Sequence, residues 1–328
     1  MSNHVGCSFF ILEFLAFLLF NILTAKETLL VLKKVGQYLL SKEIKLAKYA
    51  GFCYGVKRAV LTAKKLKEEN PDKKVCIFGE LIHNADVIRE LESLGIVTLY
   101  EIPEHVENAI CIIRSHGATP EILKQLEDAG FEIHDLTCLD VKKVQQKAME
   151  LVKDDYFLII VGKAEHPEVM AIKAHAEQFG KNILVASSVE ELREHANEIK
   201  SQKIGVVVQT TQRMETLNSI IEYLLSVSKE LKIYNTICLS TSHRQNEARE
   251  LAKENDLVLV VGSKKSANTT HLAEILTNLS KTIHIENADE LEKYRDIIDS
   301  SEKIAVTAGA STPDYIIENV INTIKGGK

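Results

Sequence analysis

The chain has 328 residues, 45% hydrophobic and 26% charged, the proportions of an ordinary globular protein. That length exceeds one small core and predicts two or three modest domains. A formal net charge of −6 excludes a nucleic-acid binder, which needs a basic face to neutralise phosphates.

Six cysteines in so long a chain are not a disulfide framework. Cys7, Cys76 and Cys111 lie in apolar runs and read as small buried hydrophobes. Residues 7–25, CSFFILEFLAFLLFNILTA, have about the length of a membrane span. Yet Glu13 interrupts them, and no Lys or Arg precedes Lys26, unlike a secretory signal. Three readings compete: a membrane or signal segment, a helix packed on the body, and an extension from a misplaced start codon. We prefer the last, because IKLAKYAGFCYGV (44–56) reads as the beginning of a domain. Residues 1–43 are thus expected to lie outside the fold. The expected location is the cytoplasm, with no membrane partner.

Past residue 43, short apolar runs alternate with helical periods. Strands are predicted at 45–49, 74–79, 96–99, 109–114, 131–135, 156–161, 182–186, 203–208, 230–234, 257–261, 282–286 and 303–307. Strand–helix alternation at this length implies parallel sheets. In 55–67, Val56, Ala59, Val60, Ala63 and Leu66 recur at helical spacing; in 140–152, Val141, Val144, Ala148 and Leu151 do the same.

The chain is built on a threefold repeat. Cys53, Cys138 and Cys238 each close an apolar run and open a helical stretch. Each is followed by an apolar run ending in glycine, at Gly79, Gly162 and Gly262, offsets of 26, 24 and 24 residues. Polar loops come next: LIHN with His83, AEHPE with His166, and KSANT with Ser266 and Asn268. A second loop sits late in each unit: CIIRSHGATPE with His116, VVVQTTQ with Gln209 and Thr210, and AVTAGASTPD with Ser311. The expected lobes are 44–137, 138–237 and 238–328, and the third holds only three strands. Its fourth is expected from 44–52, so that the ends of the core meet in one unit.

These positions carry the chemistry. Each cysteine would sit near a helix N-terminus, where the dipole favours a thiolate. One such cysteine reads as a buried structural residue; three at equivalent positions read as ligands. Their separations of 85 and 100 residues contain no local clip, so the fold must assemble the site. Zinc and an iron–sulfur cluster both suit three sulfur ligands. The loop residues supply many neutral donors and little arginine, which suits a phosphate or diphosphate held at helix termini. Glu168 reads either as a partner of its own helix dipole or as a proton donor in a closed site.

With AGFCYGV, IHN, SHG, TC, HPE, QTT, KSAN and AGAST in order, residues 44–328 resemble the LytB/IspH family of 4-hydroxy-3-methylbut-2-enyl diphosphate reductases. The resemblance implies an α/β fold of three pseudo-threefold-related lobes with parallel-rich sheets around a central iron–sulfur cluster. It implies one 4Fe-4S cluster per chain, held by Cys53, Cys138 and Cys238, with one iron lacking a protein ligand. It assigns an allylic diphosphate substrate to His83, His116, His166, Ser266, Asn268 and Ser311; Gln209 is expected to bind substrate from its place in the second polar loop. Thr210 would stand beside the substrate hydroxyl, and Glu168 would supply protons. Ferredoxin or flavodoxin would bring electrons. The implied reaction removes the hydroxyl reductively, giving isopentenyl and dimethylallyl diphosphate. Ala267 departs from the family, which often has a second serine there, and Leu139 stands where proline is usual. The rival functions are a cluster-dependent hydro-lyase, a three-cysteine zinc hydrolase and an exported solute-binding protein.

Overall fold

The computed structural model describes residues 42–326. The preferred extension, residues 1–43, therefore lies almost wholly outside the described residues, as does Cys7. No helix among the described residues is long and apolar enough to cross a membrane.

Twelve strands form three four-stranded sheets among these residues. The first sheet has the order β3-β2-β4-β5, from β2 (Lys74–Phe78), β3 (Ile96–Leu99), β4 (Ala109–Ile113) and β5 (Glu132–Asp135). The second is β7-β6-β8-β9, from β6 (Phe157–Val161), β7 (Ile183–Ala186), β8 (Lys203–Val208) and β9 (Glu230–Ile233). The third is β1-β12-β10-β11, from β1 (Glu43–Leu46), β10 (Leu257–Val261), β11 (Thr282–Ile285) and β12 (Lys303–Ala308). Every pairing is parallel.

Composition explains the order of strands. The central strands AICII and LVLVV are buried along their whole length. Parallel strands covered by helices on both faces need such continuous apolar runs. The edge strands EIHD and ELKI are exposed at both ends and carry polar residues, which suits one open side.

The first strand differs from its predicted place. It was expected at 45–49 and spans Glu43–Leu46, in register with Lys303–Val306. Ala47 still donates its N–H to the Val306 carbonyl at 2.8 Å. The next two N–H groups, of Lys48 and Tyr49, turn to the Glu247 carboxylate at 2.7 and 2.9 Å. That competing acceptor ends the ladder.

Three helices begin at the cysteines: α1 (Tyr54–Glu69), α3 (Leu139–Lys153) and α5 (Leu239–Glu254). Three more begin at the first polar loops: α2 (Ala85–Ser93), α4 (Pro167–Glu177) and α6 (Ala267–Thr277). Leu139 occupies the first position of α3, where proline is favoured because the N–H there has no helical partner. Leucine meets the same condition.

The second polar loops share one turn. Gly117, Gln212 and Thr312 donate their N–H groups to the carbonyls of Arg114, Gln209 and Gly309 at 3.0, 3.0 and 3.1 Å. The third loop has a glycine at the position of Arg114 and Gln209 because Thr269 crowds it. A Cβ at Gly309 would lie 1.9 Å from Thr269 Oγ1, which is itself fully buried. Gly309→Ala should therefore destabilise the protein by about 1–3 kcal/mol through overpacking. A lowered urea midpoint with unchanged slope is the expected reading.

Candidate active site

The three repeats deliver their cysteines by the same device. Each is the N-cap of its helix: Cys53 of α1, Cys138 of α3 and Cys238 of α5. Each donates its own N–H to a carbonyl in the second polar loop. Cys53 bonds Ala310 at 3.1 Å, Cys138 bonds Ser115 at 3.0 Å, and Cys238 bonds Thr210 at 3.1 Å. Two thiols also take the place of a capping oxygen. Cys53 Sγ accepts from Val56 N–H at 3.5 Å, and Cys238 Sγ accepts from Thr241 N–H at 3.4 Å.

All three cysteines line one cavity. Gly55, which also lines it, leaves room between two of them: an added Cβ would sit 2.8 Å from Cys138 Sγ and 4.0 Å from Cys53 Sγ. Burial pushes the Cys138 and Cys238 thiols up. A soft metal centre bound there must displace their protons. The other two described cysteines, Cys76 and Cys111, are neighbours in register on β2 and β4 and lie in the core of the first sheet. Three sulfur donors on helix N-termini with a glycine-cleared space between them fit an iron–sulfur cluster with an incomplete set of protein ligands.

The same cavity gathers the first-loop residues His83, His166, Ser266 and Asn268, and the second-loop residues His116, Thr210 and Ser311. The His83 and His116 rings stack at 5.0 Å between centroids, and His166 stands edge-on to both at 6.4 and 5.4 Å. Ring nitrogens of the three come within 4.8 Å of one another. A metal ion would accept that spacing, but the tautomer of His166 favours an anion. Its Nδ1 accepts the Glu168 N–H at 3.2 Å, so a neutral ring carries its proton on Nε2. It can then donate through Nε2 and has no second lone pair to give. His116 Nδ1 and Asn268 Nδ2 are enclosed and have no hydrogen-bond partner among the described residues. Such atoms are costly unless something bonds to them.

Burial holds His116 well below the usual imidazole range, helped by His166, His83 and Arg114. Burial takes His166 down to about 3, with help from His83 and Arg114. Both rings are therefore neutral at pH 7.

Glu168, second residue of α4, is almost completely buried. Its two carboxyl oxygens accept from Thr210 N–H at 2.7 Å and Thr210 Oγ at 2.9 Å. Burial raises it to about 7 despite those two bonds, and Asp140 adds to the rise. A carboxyl poised near neutrality beside a hydroxyl is the arrangement general acid catalysis uses.

Gln209 does not join this group. It is fully buried behind the loop, and its side chain is spent on Lys163 N–H at 3.3 Å and Thr211 Oγ1 at 3.0 Å. Its neighbour Thr211 lines the cavity instead. Thr241 was also missed. Its Oγ1 lies 3.2 Å from Cys238 Sγ and 3.4 Å from Asn268 Oδ1, linking thiol to loop. The signal was present: Thr241 lies three residues after its cysteine, as Val56 and Val141 do, and all three line the cavity.

The profile of the LytB protein family matches residues 44–325. The chain belongs to the LytB family. A relative from Geobacter sulfurreducens, named 4-hydroxy-3-methylbut-2-enyl diphosphate reductase, is 41% identical over 284 residues. That match covers 86% of this chain and 97% of the relative. A relative of the same name from Clostridium tetani is 44% identical over 279 residues. There the match covers 84% of this chain but 42% of the relative, so the chain spans less than half of that protein. A solved structure described as (E)-4-hydroxy-3-methyl-but-2-enyl diphosphate reductase, the terminal enzyme of the non-mevalonate pathway, has a TM-score of 0.64 and 37% identity. It covers 87% of this chain and all of that one. A Plasmodium falciparum structure, at 24% identity and a TM-score of 0.76 over 86% of this chain and 88% of its own, shares the fold.

The neutral histidines make a measurable prediction. An anion entering the cavity raises their pKa values, so its binding takes up protons and tightens as pH falls. Calorimetric titration with inorganic diphosphate, run in two buffers of different ionisation enthalpy, should show net proton uptake at pH 7. His166→Phe should reduce that uptake.

Proposed function

We propose that this chain reduces (E)-4-hydroxy-3-methylbut-2-enyl diphosphate to isopentenyl and dimethylallyl diphosphate, the last step of the non-mevalonate route to isoprenoids. One observation carries the reading: three helix-capping thiols and a buried acid near neutrality line the same cavity. Family membership and the names of the full-length relatives favour it over a hydro-lyase, a zinc hydrolase or a solute-binding protein.

Cys53, Cys138 and Cys238 would hold a 4Fe-4S cluster with one iron free of protein ligands. When bound, the cluster supplies one-electron transfer and Lewis acidity to the site. Ferredoxin or flavodoxin would deliver the two electrons that the reaction consumes with two protons as the hydroxyl leaves as water.

The remaining work falls to side chains. His166 donates through Nε2, and Asn268 Nδ2 and His116 Nδ1 are the enclosed atoms that a diphosphate oxygen would satisfy. Ser266 and Ser311 add hydroxyl donors. Ala267, first residue of α6, offers a backbone N–H at the helix start in place of the missing serine hydroxyl. Fixing the diphosphate turns binding energy into orientation of the allylic end. Thr210 Oγ bridges that end to Glu168 and passes its proton toward the departing oxygen.

Protein purified without oxygen should be brown and carry about four irons per chain. Cys138→Ala should lose iron, and a colourless wild type without iron would sink the proposal. Glu168→Gln should retain iron while turnover falls at least ~100-fold. Glu168 donates only when protonated, and its pKa of about 7 sets the limb. Turnover limited by that proton should therefore decline above pH 7, and near wild-type turnover in the Gln variant would remove Glu168 from the reaction.

A further inference from the structure

Arg244 is one of the few buried charges in the molecule, and the functions assigned above do not use it. It lies on α5, six residues after Cys238, and is 3% exposed. Its Nη2 donates to the Gly51 carbonyl at 2.6 Å. Its Nη1 donates to Ser240 Oγ at 2.9 Å and reaches the Ser240 carbonyl at 3.4 Å. Gly51 lies two residues before Cys53, and Ser240 lies two residues after Cys238. The guanidinium therefore spans the seam between two of the three cysteine-bearing turns.

A second arginine spans another seam. Arg58, five residues after Cys53, donates to the carbonyls of Leu136 and Thr137 at 3.3 and 2.7 Å, just before Cys138. Neither arginine forms an ion pair with a carboxylate among the described residues, and the Nε of each lacks a partner there. They differ in burial: Arg58 is half-buried, whereas Arg244 is enclosed. Glu247, one turn along α5, spends its carboxylate on the Lys48 and Tyr49 N–H groups. Burial works against the Arg244 charge; Cys53 and Cys238, once ionised, would favour it most, and Glu247 favours it less.

A buried guanidinium with no carboxylate is expensive unless negative charge arrives beside it. A cluster held by three thiolates brings that charge. A 4Fe-4S core of charge 2+ with three thiolates carries one net negative charge, and its reduction adds another. We infer that Arg244 is a built-in counter-charge for the metal centre, a positioning residue that favours its reduced state. The inference rests on the iron–sulfur reading given above, and it concerns a residue that touches neither substrate nor reacting atoms.

The test compares Arg244→Gln and Arg244→Lys with wild type in anaerobically purified, iron-loaded protein. The readouts are iron per chain and a potentiometric titration followed by electron paramagnetic resonance. At the wild-type midpoint potential, the ratio of reduced to oxidised cluster should fall at least tenfold in Arg244→Gln, about 59 mV for one electron. Arg244→Lys should stay within threefold of wild type. An iron-loaded Arg244→Gln with an unchanged ratio overturns the inference. If Arg244→Gln takes up no iron, Arg244→Lys decides. Lysine keeps the charge but not the fork, so a mere structural pin predicts iron loss there too, and that result also overturns the inference. Wild type without iron would instead overturn the functional reading.

Discussion

The site depends on one backbone hydrogen bond made three times. The N–H of each cysteine reaches the carbonyl of Ser115, Thr210 or Ala310, in the loop that leaves a central strand. Nothing in that bond requires a thiol. It fixes the start of the following helix, and a residue at a helix start has its side chain free to turn inward. The thiol positions are thus set by main-chain geometry, which tolerates changes of nearby side chains such as Leu139. Three helix dipoles begin there and offset part of the cost that burial puts on negative charge at Cys138 and Cys238.

The same loops that hold the cysteines also line the cavity with polar groups. Thr210 shows the economy of this arrangement. Its carbonyl anchors Cys238, while its N–H and hydroxyl both bind Glu168. Moving the acid would therefore disturb a sulfur position, and the reverse also holds. Burial supplies the rest: it holds His116 and His166 neutral and keeps Glu168 near its titration point at neutral pH.

Much of this was legible in the sequence because the repeat repeats its chemistry. Apolar runs marked the central strands, and the cysteine spacing marked the helix starts. The start of the core was less legible. Strand propensity continues through Lys48 and Tyr49, and only the distant carboxylate of Glu247 stops the ladder. Gln209 was misplaced for a related reason. Alternation within a loop cannot say which of two adjacent polar residues faces inward, and the close approach of the loop to Gly162 turned Gln209 away. Arg244 drew no attention because a lone arginine on a polar helix reads as solvated until its burial is known.

The first strand of the core pairs with the last. Glu43 finds Lys303, 260 residues later, whereas the other eight pairings among the described residues join residues at most 47 apart. On the ribosome, two sheets can therefore form while β1 waits alone for β12. The turn carrying Cys53 waits with it, since its anchor is Ala310. A growing chain thus presents Cys138 in its finished setting well before Cys53. The three-sulfur triangle exists only once Ala310 has been made and the third sheet has closed, so a centre bound by all three thiols could be loaded only after that.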